Sequence, residues 1–131
     1  MLTIVPAYAA VLALGYVLLA TRVIRMRYNA RVSLGAGGNT ELERRIRAHG
    51  NFAEYVPFAL LLLAFVELQG HAPALIHGLC LLLVAGRAAH ACGLSTGAHR
   101  LRVLGVTATF IVLCSAAATL LSGALPLLRG G

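Results

Sequence analysis

The sequence predicts an all-α integral membrane protein, a four-helix bundle forming a single domain over residues 1–131. Of its residues 60% are hydrophobic and 11% charged, and the apolar ones come in long blocks instead of alternating with polar ones, which no soluble domain tolerates. A spanning helix takes about 20 mostly apolar residues, and four such blocks nearly exhaust the chain. Basic residues gather where those blocks end.

The first helix is expected over about residues 3–21, a charge-free run closed by Arg22, Arg25, Arg27 and Arg31. Since the basic residues follow the apolar run and none precedes it, the segment reads as a retained span and not as a signal peptide. Gly35 to Asn39 then form a flexible loop. A second helix is expected over about 40–68, with Thr40 as its cap and Glu43 three residues on. Its first turns are polar and stand outside the hydrocarbon, and its apolar stretch runs from Phe52 to Val66.

Gln69, Gly70, His71 and Pro73 make a short turn into a third helix over about 74–92, which carries Arg87 and His90 near its end. Gly93 to His99 read as a polar loop, and the fourth helix is expected over about 103–125, with Pro126, Gly130 and Gly131 ending the chain. Cys80, Cys92 and Cys114 are odd in number and sit in apolar stretches without CxxC spacing, so neither a disulfide framework nor a metal site follows.

The net charge of +7 would point to nucleic acid in a soluble protein. Beside apolar spans its nearest partners are anionic lipid headgroups, so membrane lipids and not nucleic acid are the expected partner. All the basic residues are arginine, which fits either recognition of carboxylate and phosphate or GC-rich coding. Arg22, Arg25, Arg27, Arg31, Arg44, Arg45 and Arg47 flank the connection between the first two helices, Arg100 and Arg102 that between the last two, and none lies in the turn at Gln69–Pro73. Loops rich in arginine stay in the cytoplasm, which places both termini on the other side, with Arg129 the exception.

Arg47, Asn51 and Glu54 are spaced by four and three and share one face of the second helix, with Arg44 extending the stripe. Arg87 and His90 share a face of the third. Counted from the turn, Glu54 and Arg87 are both about 16 residues away and Asn51 and His90 both about 19, so these pairs are expected at equal depth. Glu54 with Arg87 alone would be an ion pair holding two helices together. The convergence of an acid, an amide, an imidazole and several guanidinium groups, with Arg102 near the start of the fourth helix, points to a site for an anionic polar ligand.

The segment Glu43 to Pro57 (ERRIRAHGNFAEYVP) resembles the signature of the MAPEG family, membrane-associated proteins in eicosanoid and glutathione metabolism, at Arg47, His49, Asn51, Glu54 and Pro57. Gly86, Arg87, His90 and Gly93, then Arg102, Gly105 and Thr107, resemble its small bacterial branch, so a bacterial inner membrane is the expected location. The resemblance implies a homotrimer with glutathione bound between subunits, contacted by Arg47, Asn51, Glu54, His90 and Arg102, with Arg102 as the catalytic residue favouring its thiolate, and Arg87 is expected among the binding residues beside them. It implies a glutathione-dependent transferase or peroxidase acting on small lipophilic electrophiles or hydroperoxides, or else a non-catalytic lipid-binding or scaffold member. Three positions depart from the eicosanoid-handling members: Gly50 stands for an arginine, Leu94 for a tyrosine and Val103 for a serine, so prostaglandin chemistry does not transfer.

Overall fold

The computed structural model describes the backbone of residues 1–129 and the side chains of residues 1–125. Its helices are α1 (Val5–Ala30), α2 (Thr40–Leu68), α3 (Pro73–Thr96) and α4 (His99–Arg129), and all four are long and apolar enough to cross a membrane. The described residues form no strand. Proline in the first turn of α1 and of α3 opens each helix where its missing N–H costs nothing.

Helix boundaries depart from the expected ones where apolar character ends before helical character does. α1 continues through Arg22, Arg25 and Arg27 to Ala30, because arginine is a good helix former. It stops at Arg31, which turns left-handed at φ 54°. Arg27 then folds the following loop back by donating to the carbonyls of Ser33 and Gly35 at 3.3 and 2.8 Å. The cap of α2 is Asn39 and not Thr40, its side-chain oxygen accepting from the Leu42 N–H at 2.9 Å. α3 runs on through Ser95 and Thr96, whose hydroxyls bond to carbonyls of Ala91 and Cys92 one turn back, and ends at Gly97 with φ 76°. Only Gly97 and Ala98 link it to α4. Gly130 and Gly131, expected to end the chain, lie outside the described residues, as does the side chain of Arg129.

The core is built by Phe52, Val56, Ala59, Leu63 and Val66 of α2, Ile76, Leu79, Cys80 and Leu83 of α3, and Val112 and Ala116 of α4. α3 and α4 approach to backbone contact, since a Cβ built on Gly105 would stand 2.5 Å from the Gly86 carbonyl and 2.6 Å from the His90 Cβ. α1 is held more lightly: its buried residues Val5, Leu12 and Leu19 recur every seven positions and form one narrow seam.

One end of α1 is tied by an ionisable group that the sequence reading did not single out. Glu67 of α2 is only 8% exposed and accepts from the backbone N–H groups of Thr3, Ile4 and Val5 at 2.6–2.8 Å, with the Thr3 hydroxyl at 3.1 Å. These are donors a helix leaves orphaned at its N-terminus, and a carboxylate there also meets the positive end of the helix dipole. At the same end the Tyr8 hydroxyl bonds to Nδ1 of His77 on α3 at 2.9 Å. The sequence signal for Glu67 was a lone acid inside an apolar run, which is expensive in a membrane unless it has a partner.

Candidate functional site

At the arginine-rich end of the bundle α2, α3 and α4 enclose a hollow of about 480 Å³, a volume within the ordinary range for small-molecule sites. Arg47, Asn51 and Glu54 line it from α2, His90 from α3 and Arg102 from α4, so five of the six residues singled out in the sequence meet there. Ile46, Gly50 and Leu94 complete the lining. The spacing of four and three on α2 achieves this because it keeps side chains on one face over successive turns.

Two glycines place the opposing wall. Gly105 lets α4 touch α3 beside His90, and Gly93 lets the start of α4 close in, since a Cβ on Gly93 would lie 2.6 Å from the Arg102 backbone nitrogen. His90 Nδ1 therefore reaches the Arg102 carbonyl at 3.2 Å. A carbonyl only accepts, so Nδ1 carries the hydrogen and Nε2 is the ring position left for another partner.

Arg87 is the sixth residue, and it lies elsewhere. It is 3% exposed and donates through Nη1 to Asn51 Oδ1 at 2.7 Å and through Nη2 to the Gly105 carbonyl at 3.2 Å. Its guanidinium also stands 5.9 Å from the centre of the Tyr55 ring. This corrects two expectations, since Arg87 does not line the hollow and no Glu54–Arg87 ion pair forms. Counting from the turn fixes height along the helices but not rotation about them. Glu54 lies about 160° around α2 from core residue Phe52, and Arg47 about 140°, so both point away from the core, whereas Asn51 sits on its flank within reach of Arg87.

The consequence for Asn51 is a fixed amide: its oxygen is occupied by Arg87, so its N–H groups are what remains for a ligand. Glu54 is exposed, and Arg47, whose side chain is 71% exposed, has only a loose approach to Glu43 at 3.7 Å. The hollow thus offers two guanidinium groups, one carboxylate, an amide and an imidazole, a pattern complementary to a ligand bearing carboxylates together with an amine. The described residues contain no group of three or more His, Cys, Asp or Glu side chains placed to hold a metal ion.

Sequence reasoning missed the linings Gly50 and Leu94 as site residues while naming them as departures. Both sit in the hollow itself, and a Cβ on Gly50 would meet nothing within 4 Å. Val103 does not line it. Arg44, expected to extend the stripe, is exposed outside it.

The model of the MAPEG family matches residues 5–122, which include every residue of the hollow. The chain is also 38% identical over 106 residues, 81% of its length and 81% of the relative's, to inner membrane protein YecN of Escherichia coli strain K12. The match to inner membrane protein YecN of Escherichia coli O6:H1 strain CFT073 has the same identity and coverage.

Proposed function

The chain belongs to the MAPEG family, and from that premise we propose that it is a glutathione-dependent transferase or peroxidase of the inner membrane, acting on small lipophilic electrophiles or hydroperoxides. The observation that carries the reading is the hollow where Arg47, Asn51, Glu54, His90 and Arg102 converge. Glutathione has two carboxylates for arginine, an amine for glutamate and amide groups for Asn51. In transfer, the thiol gives up its proton, sulfur bonds to the electrophilic carbon and the leaving group departs with the electron pair. With a hydroperoxide, the thiolate takes the terminal oxygen and an alcohol leaves, and a second glutathione then forms the disulfide and releases water. Arg102 favours the anion from which either reaction starts, since a guanidinium stays charged at any working pH.

The working assembly in this proposal is a homotrimer with the hollow at the junction of subunits. What supports it is the outward direction of Glu54 and Arg47, and the exposed Phe58, Leu61 and Phe65 that continue the same side of α2. Glu54 falls within the apolar stretch that starts at Phe52, where a charge exposed to lipid is costly unless a neighbour covers it. The arginine distribution supports a cytoplasmic location for this end and an opposite one for both termini.

A second reading, a non-catalytic lipid-binding or scaffold role, is favoured by Gly50 and Leu94, which leave the hollow without the arginine and tyrosine of eicosanoid-handling relatives. Calorimetric titration of the purified protein with glutathione, together with ultraviolet absorbance of the bound thiolate, separates the two. Binding with a thiolate band is the expected result. Binding with neither thiolate nor turnover of several electrophiles would transfer the case to the scaffold reading, and absence of binding would end the glutathione reading.

A further inference from the structure

A second hollow lies on the other side of Arg87, between α1 and α3, with a volume of about 370 Å³. It exists because Ala88 and Ala91 of α3 are small where they face α1, while Gly15 of α1 looks onto the Phe52 ring of α2. Its walls are apolar over most of their length, and its polar side chains apart from Arg87 are confined to one end, where Arg22, Ser95 and Thr96 stand. From Val11 to Arg22 along α1 it is about 16 Å long. A groove of that length with apolar walls suits an extended hydrocarbon chain.

The polar end is unbalanced in charge. Arg22 donates to the Ser95 hydroxyl at 3.3 Å. The ion pairs formed among the described residues are Arg45 with Glu41 and Arg47 with Glu43, so Arg22 has no carboxylate. A guanidinium has five donors, so Arg22 keeps others for an anion, whereas the Ser95 and Thr96 hydroxyls already donate to the Ala91 and Cys92 carbonyls. Arg22 is also the first charge after the apolar run of α1, which sets it at the depth where hydrocarbon gives way to headgroups.

We infer that the groove between α1 and α3 binds an anionic phospholipid, one acyl chain lying along Val11, Leu18 and Val84 and the phosphate held by the Arg22 guanidinium. The side of the groove at Leu18, which is 61% exposed, is open, so the second chain stays in the bilayer. Arg87 separates this lipid from the hollow at Arg102: it lines the groove while its guanidinium bonds Asn51 on the far side. The inference is independent of glutathione.

The test is native mass spectrometry of the full chain released from nanodiscs of equal parts phosphatidylglycerol and phosphatidylcholine. One retained phosphatidylglycerol per subunit is expected, preferred about fivefold over phosphatidylcholine, the effect of one arginine at a lipid headgroup. Arg22→Ala abolishes the preference, and Arg22→Gln, which can still donate to Ser95, does the same where the alanine variant fails to fold. Ala88→Phe fills the groove and lowers retention of both lipids. Equal retention of the two lipids by the wild type, or an unchanged preference in both Arg22 variants, would overturn the proposal. So would one-for-one replacement by added palmitate, which would assign the groove to free fatty acid, and so would efficient cross-linking of Cys92, exposed in the groove, to another copy of the chain.

Discussion

Arg87 and Asn51 are joined across the α2–α3 contact by a guanidinium-to-amide hydrogen bond of 2.7 Å, one helical turn toward the start of α2 from Glu54. The bond connects a buried charge to the edge of the candidate site.

A double-mutant cycle with Asn51→Ala and Arg87→Ala should give a coupling of about 1.5–3 kcal/mol in unfolding stability, the usual size for a hydrogen bond to a charged group. The same cycle with Glu54→Gln and Arg87→Ala should be additive to within about 0.5 kcal/mol. A reversed order would mean that Arg87 pairs with Glu54.

Gly105→Ala should destabilise by about 1–3 kcal/mol, because its Cβ lands on the Gly86 carbonyl and the His90 Cβ and forces α3 from α4. Gly50→Ala, with open space around its Cβ, should change the midpoint of thermal unfolding little. Paired melting curves in one detergent check both, and a wild-type midpoint for Gly105→Ala would refute the backbone contact.

Glu67→Gln should cost about 1–3 kcal/mol, since the neutral amide offers one acceptor oxygen to donors now shared by two. Affinity at the distant hollow should stay as in the wild type. The check is faster amide exchange at Ile4 and Val5 by mass spectrometry, and unchanged exchange there would remove Glu67 from the role of cap.

If glutathione occupies the hollow, Arg102→Leu should lower turnover of a hydrophobic electrophile about 100-fold while weakening glutathione binding about threefold or less, as expected for a group acting on developing charge. Arg47→Leu should do the opposite, weakening binding about tenfold with turnover at saturation nearly unchanged. Steady-state kinetics over a range of glutathione concentrations distinguishes the two patterns.

The four helices were legible because the lengths of apolar blocks answer directly to the thickness of a bilayer. Their ends were not, since helix formation carries on through Arg22–Ala30 and Gly93–Thr96 after the hydrophobic run has stopped. Arg47, Asn51, Glu54, His90 and Arg102 were legible as a group through helical spacing and the family resemblance. The partner of Arg87 was not, because height along a hairpin can be counted but rotation about each axis depends on packing of the whole core. Glu67 was passed over because its partners are backbone N–H groups at the opposite end of the sequence, and backbone donors leave no mark in residue identities.

The narrow seam at Val5, Leu12 and Leu19 joins α1 to the core through few buried residues. All four helices share one continuous core, to which α1 contributes only those three buried residues, with Glu67 on its first N–H groups and the Arg45 guanidinium on the Arg22 carbonyl further along. Under mild denaturation α1 should detach first, leaving a three-helix remnant with its Gly86–Gly105 contact intact. Unfolding of the chain should then proceed in two steps, with a single melting midpoint describing the remnant rather than the departure of α1.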